Sequence, residues 1–198
     1  MSYLILALCM VFAFFLGAVP FGLVIAKTFK GIDPRKAGSG NIGSTNVARL
    51  CGMSCGLLTL FCDIMKGVLP VLVAVYVLPS QFQQSLVALA AVMGHIKSPF
   101  LGFKGGKGVA TTIGALIPLA FLPLLCAVAC FFVVVFITRY VSLSSMTMAV
   151  ALVVFYAVFG YWELMPLGVV LAAMIIWAHR TNIKRLLRGE ESRFVLKK

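Results

Sequence analysis

Charge is what this chain has least of: 11% of its 198 residues are Asp, Glu, Lys or Arg, where a soluble domain carries about 25%. With 62% apolar residues and a mean hydropathy of +1.10, that scarcity excludes an ordinary soluble domain. Acidic residues are scarcer still, five against 17 basic ones, for a net charge of +12. So few acids leave a magnesium nucleotide without ligands, and no metal or cofactor is expected. Only two histidines occur, His95 and His179, and neither has an Asp or Glu within five residues. No Lys or Arg precedes the first apolar run, Tyr3 to Ala26, so the run reads as a retained helix rather than a signal peptide. The six cysteines (Cys9, Cys51, Cys55, Cys62, Cys126 and Cys130) lie in or beside apolar runs. Without polar neighbours they read as small apolar helix residues, not as metal ligands or disulfide partners.

What is present is a series of long apolar runs. A bilayer core of about 30 Å needs about 20 apolar helical residues to cross it. The pattern predicts an all-α polytopic membrane protein, one integral membrane domain over 1–198, with about seven transmembrane helices. These lie roughly at 3–26, 52–78, 85–97, 109–119, 122–138, 144–161 and 165–178. Pro118 and Pro123, which disfavour helix before them, mark a tight turn between the fourth and fifth. Six or five spans remain open if the prolines mark a kink or the short helices are re-entrant.

Basic residues set the orientation. Lys27, Lys30, Arg35, Lys36, Arg49, Lys97, Lys104, Lys107, Arg139 and the tail from Arg180 all fall on one side, 16 of the 17 in total. The positive-inside rule then places the N-terminus outside and the C-terminus in the cytoplasm of a multi-pass membrane protein. A balance of +12 on a soluble protein would suggest nucleic acid; here it points to membrane lipids and anionic substrates, and no nucleic-acid partner is expected. For Val195 to Lys198, native tail and appended sequence both stand open.

The seventeenth basic residue, Lys66, lies inside the second span. Asp63, three residues earlier, shares its helix face. A lone charge at mid-bilayer costs about 2.5–3.5 kcal/mol on insertion scales, which pairing would offset. Three readings stand: a structural ion pair, indirect support of an active site, and an ion pathway.

Three inner loops carry the chemistry. The first, Gly38 to Arg49, combines glycines that admit positive φ and converging N–H groups with neutral donors Ser39, Asn41, Ser44, Thr45 and Asn46. It ends in Arg49, able to grip a phosphate with two parallel bonds. The second, Gly94 to Thr112, runs Lys104-Gly105-Gly106-Lys107-Gly108 into a helix, aiming free N–H groups and the positive dipole end at an anion. Gly108 stands where a nucleotide P-loop requires Ser or Thr, so the loop is read as a phosphate site without metal. The third, His179 to Glu191, is an amphipathic interfacial helix. In it Ile183, Leu186 and Leu187 oppose Lys184, Arg185 and Arg188, with His179 and Asn182 one turn apart. In the remaining inner loop, Ser142 could lend a hydroxyl to the site while Ser144 could cap the next helix.

Taken in order, these three motifs resemble the bacterial acyl-phosphate:glycerol-3-phosphate acyltransferases, and the resemblance covers the whole chain. It rests on the glycine-serine-asparagine loop ending at Arg49, on Gly94-His95 running through Phe103-Lys104-Gly105-Gly106-Lys107-Gly108, and on His179-Arg180 with Asn182 and Ile183. It implies seven helices, cytoplasmic motifs, and acyl phosphate as donor to glycerol 3-phosphate. It associates the second motif with the acyl phosphate and the others with glycerol 3-phosphate and the reaction centre. The candidate catalytic residues are Ser39 and His179. The candidate substrate-binding residues are Gly40, Asn41, Thr45, Asn46, Arg49, Lys104, Gly105, Gly106, Lys107, Gly108, Ser142 and Asn182.

The histidine–four-residues–aspartate base of other glycerolipid acyltransferases is absent. The expected reaction is therefore direct transfer, in which positioning and electrostatics supply most of the acceleration. A covalent acyl-Ser39 has no adjacent base. A transporter for a phosphorylated solute is the alternative class, and a regulatory membrane subunit a third.

Overall fold

Pro20 sets the first departure from the expected spans. The computed structural model describes residues 2–194, so Val195–Lys198 lie outside it. The opening run is not one helix but two, α1 (Ser2–Ala18) and α2 (Phe21–Lys30), parted at Val19–Pro20. Proline supplies no N–H and clashes with the preceding turn, so the α1 ladder stops there. Eight further helices follow: α3 (Ser44–Cys51), α4 (Met53–Val77), α5 (Gln81–Ile96), α6 (Val109–Leu116), α7 (Phe121–Thr138), α8 (Val141–Val158), α9 (Met165–Ala178) and α10 (Arg180–Leu187). Among the described residues every regular element is helical.

Four segments are long and apolar enough to cross a bilayer: Tyr3–Lys30, Met53–Val77, Phe121–Thr138 and Val141–Val158. Trp162–Ala178 with Arg180–Leu187, bent by 58°, makes a fifth. The runs at 85–97 and 109–119 fold as α5 and α6, of 16 and 8 residues. At about 1.5 Å per residue neither spans the full hydrocarbon thickness. The predicted proline turn does separate α6 from α7, and it also divides the chain into two compact units, Met1–Leu119 and Ala120–Lys198.

In the first unit α4 is the scaffold. Its buried face carries Gly56, Thr59, Asp63, Lys66, Gly67 and Pro70, a helical stripe rather than a scatter. A Cβ on Gly56 would strike Ala48 of α3, and one on Gly67 would strike the Thr111 carbonyl of α6. Both neighbours therefore approach α4 nearly backbone to backbone, on one face and about 16 Å apart along the axis. α1 and α5 meet the same way, Gly17 against the Ala91 carbonyl and Gly94 against that of Phe14. Lipid offers no hydrophobic drive between helices, and small residues that permit close packing replace it. The apolar faces of Leu57, Phe61, Leu69 and Val73 remain exposed, as lipid-facing surface requires.

The second unit begins with α7 and α8, joined by Arg139 and Tyr140 alone. Such a short connection obliges neighbouring helices to run antiparallel. α9 packs on α8 with Gly168 against the ring of Tyr156, which is fully buried and stacked on Tyr161 at 6.1 Å. The predicted amphipathic helix forms as α10, with Asn182 buried and Leu187 84% exposed. The Arg180 guanidinium lies 4.3 Å over the Trp177 ring at the α9–α10 bend.

Candidate active site

Asn46 organises the first loop. Its side chain is 2% exposed. Nδ2 donates to the carbonyls of Pro34 (2.9 Å), Ala37 (3.2 Å) and Asn41 (2.8 Å), and Oδ1 accepts from the Ser39 N–H (2.9 Å). Expected among the substrate ligands, Asn46 instead spends its whole amide inside the loop. Gly38, at φ +60°, passes so close that a Cβ there would collide with Asn46 Oδ1. Asn41 likewise turns inward, its Oδ1 accepting from the Gly43 N–H at 2.8 Å. Left outward are Ser39, Gly40 and Arg49, all exposed, with Thr45 half-buried in the first turn of α3. At the loop's entrance Asp33 binds Arg35 at 2.7 Å, and the guanidinium holds that carboxyl far below its usual range.

The second loop folds back on the end of α5. The Gly105 N–H donates to the Ile96 carbonyl and the Gly106 N–H to that of His95, each at 3.0 Å. These two N–H groups, expected to face an anion, thus satisfy the last carbonyls of α5. A Cβ on Gly106 would run into His95 Nε2, so the imidazole is the floor of the loop. Ser98 Oγ ties the turn to the Ala18 carbonyl at 2.6 Å. At the rim stand exposed Lys104, half-buried Lys107 and the start of α6, whose N-cap Gly108 sits at φ +85° with no side-chain cap.

Beneath this loop Lys66 Nζ lies 2.8 Å from Asp63 Oδ1 and donates to the Val19 carbonyl at 2.9 Å. Of the three readings for Lys66, the ion pair is therefore formed, and its ammonium also ties α4 to the Val19 carbonyl at the α1–α2 break. Asp63 Oδ1 comes within 3.8 Å of His95 Nδ1, too far for a hydrogen bond. Sequence spacing gave His95 no carboxylate; folding brings one from 32 residues away.

In the second unit, His179 closes α9 at the 58° bend and is 2% exposed. Its Nδ1 lies 2.8 Å from the Ile175 carbonyl. A carbonyl only accepts, so Nδ1 carries the proton, and in the neutral ring Nε2 is the lone-pair nitrogen. One turn on, Asn182 Nδ2 donates to Glu191 Oε1 at 2.6 Å. Ser142 Oγ donates to the same oxygen at 2.7 Å, and Arg185 Nε to Oε2 at 2.7 Å. Burial raises the Glu191 pKa, but the bonds from Ser142, Asn182 and Arg185 outweigh it and hold the carboxyl below its ordinary value. Ser144 does not cap α8; its Oγ donates back to the Tyr140 carbonyl at 2.8 Å. Glu191 is the residue that sequence reasoning missed. Its one signal was an acid, rare in this chain, placed directly after a basic helix.

Among the described residues the fold is that of an all-helical membrane protein, with glycine-rich basic loops in the first unit and a buried histidine at a helix end in the second. A family model described as glycerol-3-phosphate acyltransferase matches residues 7–189. The chain is 48% identical over 186 residues to the glycerol-3-phosphate acyltransferase of Desulfovibrio desulfuricans, covering 94% of this chain and 83% of the relative. It is 46% identical to that of Lawsonia intracellularis, covering 90% of each. It is 51% identical to that of Nitratidesulfovibrio vulgaris over 90% of this chain, spanning 55% of that longer protein. Among solved structures it is similar to PlsY (YgiH), an integral membrane glycerol 3-phosphate acyltransferase, in its glycerol 3-phosphate form. The TM-score is 0.92 at 41% identity, over 96% of both chains. The lysophosphatidic acid form gives 0.90 at 40% identity, over 96% of this chain and 95% of that one. The chain belongs to the glycerol-3-phosphate acyltransferase family.

Proposed function

We propose that this chain transfers an acyl group from acyl phosphate to the sn-1 hydroxyl of glycerol 3-phosphate, releasing lysophosphatidic acid and inorganic phosphate. In this reaction the hydroxyl oxygen bonds to the acyl carbon and the carbon–phosphate oxygen bond breaks. The hydroxyl proton passes to a phosphate oxygen or to His179 Nε2. No covalent acyl-enzyme forms. Glycerol 3-phosphate as acceptor and lysophosphatidic acid as product come from the named forms of the similar solved structures. Acyl phosphate as donor rests on the three-motif resemblance and on the chain's poverty in acids.

The observation that carries the reading is the tautomer at His179, whose Nδ1 donates to the Ile175 carbonyl and so presents the basic nitrogen on the other side of the ring. Direct transfer is favoured over an acyl-Ser39 because the stretch from Pro34 to Leu50 contains no Asp, Glu or His to activate that hydroxyl. Arg49, Lys104 and Lys107 are assigned to the phosphates, with Gly40, Thr45 and Gly108 shaping the approach. Ser39 is assigned as a hydrogen-bond donor at the reacting group, and Ser142 and Asn182 to the acceptor. The basic-residue asymmetry supports a cytoplasmic position for these loops. The seven-helix topology, N-terminus out and C-terminus in, rests on the resemblance and the charge asymmetry. It requires α5, α6 and α9 to count as membrane helices although each is shorter than the bilayer core.

Purified protein in lipid would be given radiolabelled glycerol 3-phosphate with palmitoyl phosphate or palmitoyl-CoA, without added metal. Lysophosphatidic acid from the phosphate donor alone is expected. Product from the CoA donor alone overturns the donor assignment, and a stable acyl-enzyme formed with acyl phosphate alone overturns direct transfer.

A further inference from the structure

The second unit has an open groove of about 510 Å³ lined by none of the residues assigned to the transfer reaction. Its volume lies within the roughly 300–1,000 Å³ of small-ligand sites. Its walls are of two kinds. Ile137, Leu143 and Leu187 are apolar, while Arg139, Tyr140 and Arg193 bring polar groups to one end. Ile137 is 78% exposed and Leu187 84%, so the apolar wall opens to the surroundings, which for lipid-facing helices means hydrocarbon. Arg139 holds left-handed backbone at φ +61° as the C-cap of α7, a conformation uncommon outside glycine. Arg193 lies 5.6 Å from the centre of the Tyr140 ring and reaches the phenol oxygen through Nε at 3.4 Å. The remaining donors of its guanidinium fork lie beyond that contact. The Phe194 N–H donates to the Arg139 carbonyl at 2.8 Å, fastening the tail across the end of the α7–α8 hairpin.

We infer that this groove seats one anionic phospholipid, its headgroup phosphate on Arg139 and Arg193 and an acyl chain along Ile137, Leu143 and Leu187. Charge complementarity selects the sign. Two guanidiniums with no carboxylate among the lining residues favour an anion, and basic clefts at helix ends bind acidic headgroups. The apolar wall selects an amphiphile over a free phosphate, because an ion alone would leave that surface uncovered. Neither His179 nor Asn182 lines the groove, so the seat is distinct from the candidate active-site residues and does not depend on the assigned reaction. It has a structural consequence. Arg193 follows Glu191 by two residues, so a lipid held there also fixes the segment that brings Glu191 onto Ser142 and Asn182.

The test is native mass spectrometry of the full chain released from nanodiscs of phosphatidylcholine containing increasing phosphatidylglycerol. One phosphatidylglycerol retained in preference to phosphatidylcholine is expected. Arg139→Gln with Arg193→Gln should lower that preference about thirtyfold, from roughly 1 kcal/mol for each of the two basic residues at an anionic surface. Leu143→Trp, which fills the apolar wall and leaves both charges, should also lose the lipid. Thermal unfolding and transferase assays establish that each variant is folded. Equal retention of the two lipids by the unmodified chain, or unchanged preference in both variants, overturns the proposal. Displacement of the bound lipid by millimolar inorganic phosphate overturns it too, in favour of a simple ion site.

Discussion

Lys66 Nζ donates to the Val19 carbonyl at 2.9 Å across 47 residues of sequence, while its other partner, Asp63, lies 2.8 Å away on the same helix. The two side chains are 1% and 3% exposed. The pair thus does two things at once: it neutralises a buried charge and ties α4 to the backbone at the α1–α2 break. Removing one partner leaves the other charge buried and uncompensated, at a cost of about 3–5 kcal/mol. Asp63→Asn and Lys66→Met should each lower the unfolding temperature in micelles sharply. The double variant should recover most of that loss, short of the bond to Val19. Simple additivity of the two losses would show that the residues are not coupled.

How much of this was legible beforehand differs residue by residue. The Asp63–Lys66 pair was readable because its spacing is helical and charges are rare in an apolar run. Val19 as third partner was not, since nothing local links it to Lys66. The polar loops stood out for the same reason as the pair: Gly, Asn, Lys and Arg cluster against a featureless background. The direction in which each group points did not follow from composition. Asn46, Gly105 and Gly106 are all drawn into satisfying carbonyls of their own chain, the demand that any loop at a membrane interface must meet first. The break at Pro20 was hidden by the apolar continuity of the run around it.

Asn46 offers a sharp distinction between brace and ligand. Asn46→Ala would strand the Ser39 N–H and the Pro34, Ala37 and Asn41 carbonyls now paired with its amide. Each buried unpaired group costs about 1–3 kcal/mol, less where the loop can open to water. Asn46→Asp should be worse than Ala, because it turns an acceptor toward three carbonyls. The expected result is a lowered unfolding temperature in the order Asn, Ala, Asp. A variant with unchanged unfolding temperature and only a raised KM for glycerol 3-phosphate would restore Asn46 to the ligands.

Glu191 gives a pH prediction with a definite sign. Its folded pKa is depressed, so its contribution to stability is present above the ordinary carboxylate value and is lost as pH falls through the lower folded value. Between pH 7 and 5 the tail should stay docked on Ser142 and Asn182, and it should release only below the ordinary carboxylate range. Hydrogen exchange of residues 188–194 against pH would show this. Glu191→Gln keeps an acceptor oxygen but loses the charge that draws Arg185. It should release the tail at every pH to a similar extent, and release that still follows pH in the variant would point to another group.

The histidine prediction separates a base from a support. His179 Nδ1 is committed to the Ile175 carbonyl, so only Nε2 can take the hydroxyl proton, and only when the ring is neutral. If it does, kcat should rise with pH along an acid limb. His179→Asn should then lower kcat by about 10²–10⁴-fold, the usual worth of a positioned base, and abolish that limb. KM for glycerol 3-phosphate should move little, because the phosphate is assigned to Arg49 and the lysines. The proton could instead pass to the donor's own phosphate oxygen, with His179, as the imidazolium, donating a hydrogen bond through Nε2. In that case the neutral amide of Asn would recover part of the rate, and the acid limb would survive the substitution. Steady-state kinetics of the single variant across pH, with acyl phosphate saturating, therefore assigns the proton to one acceptor or the other.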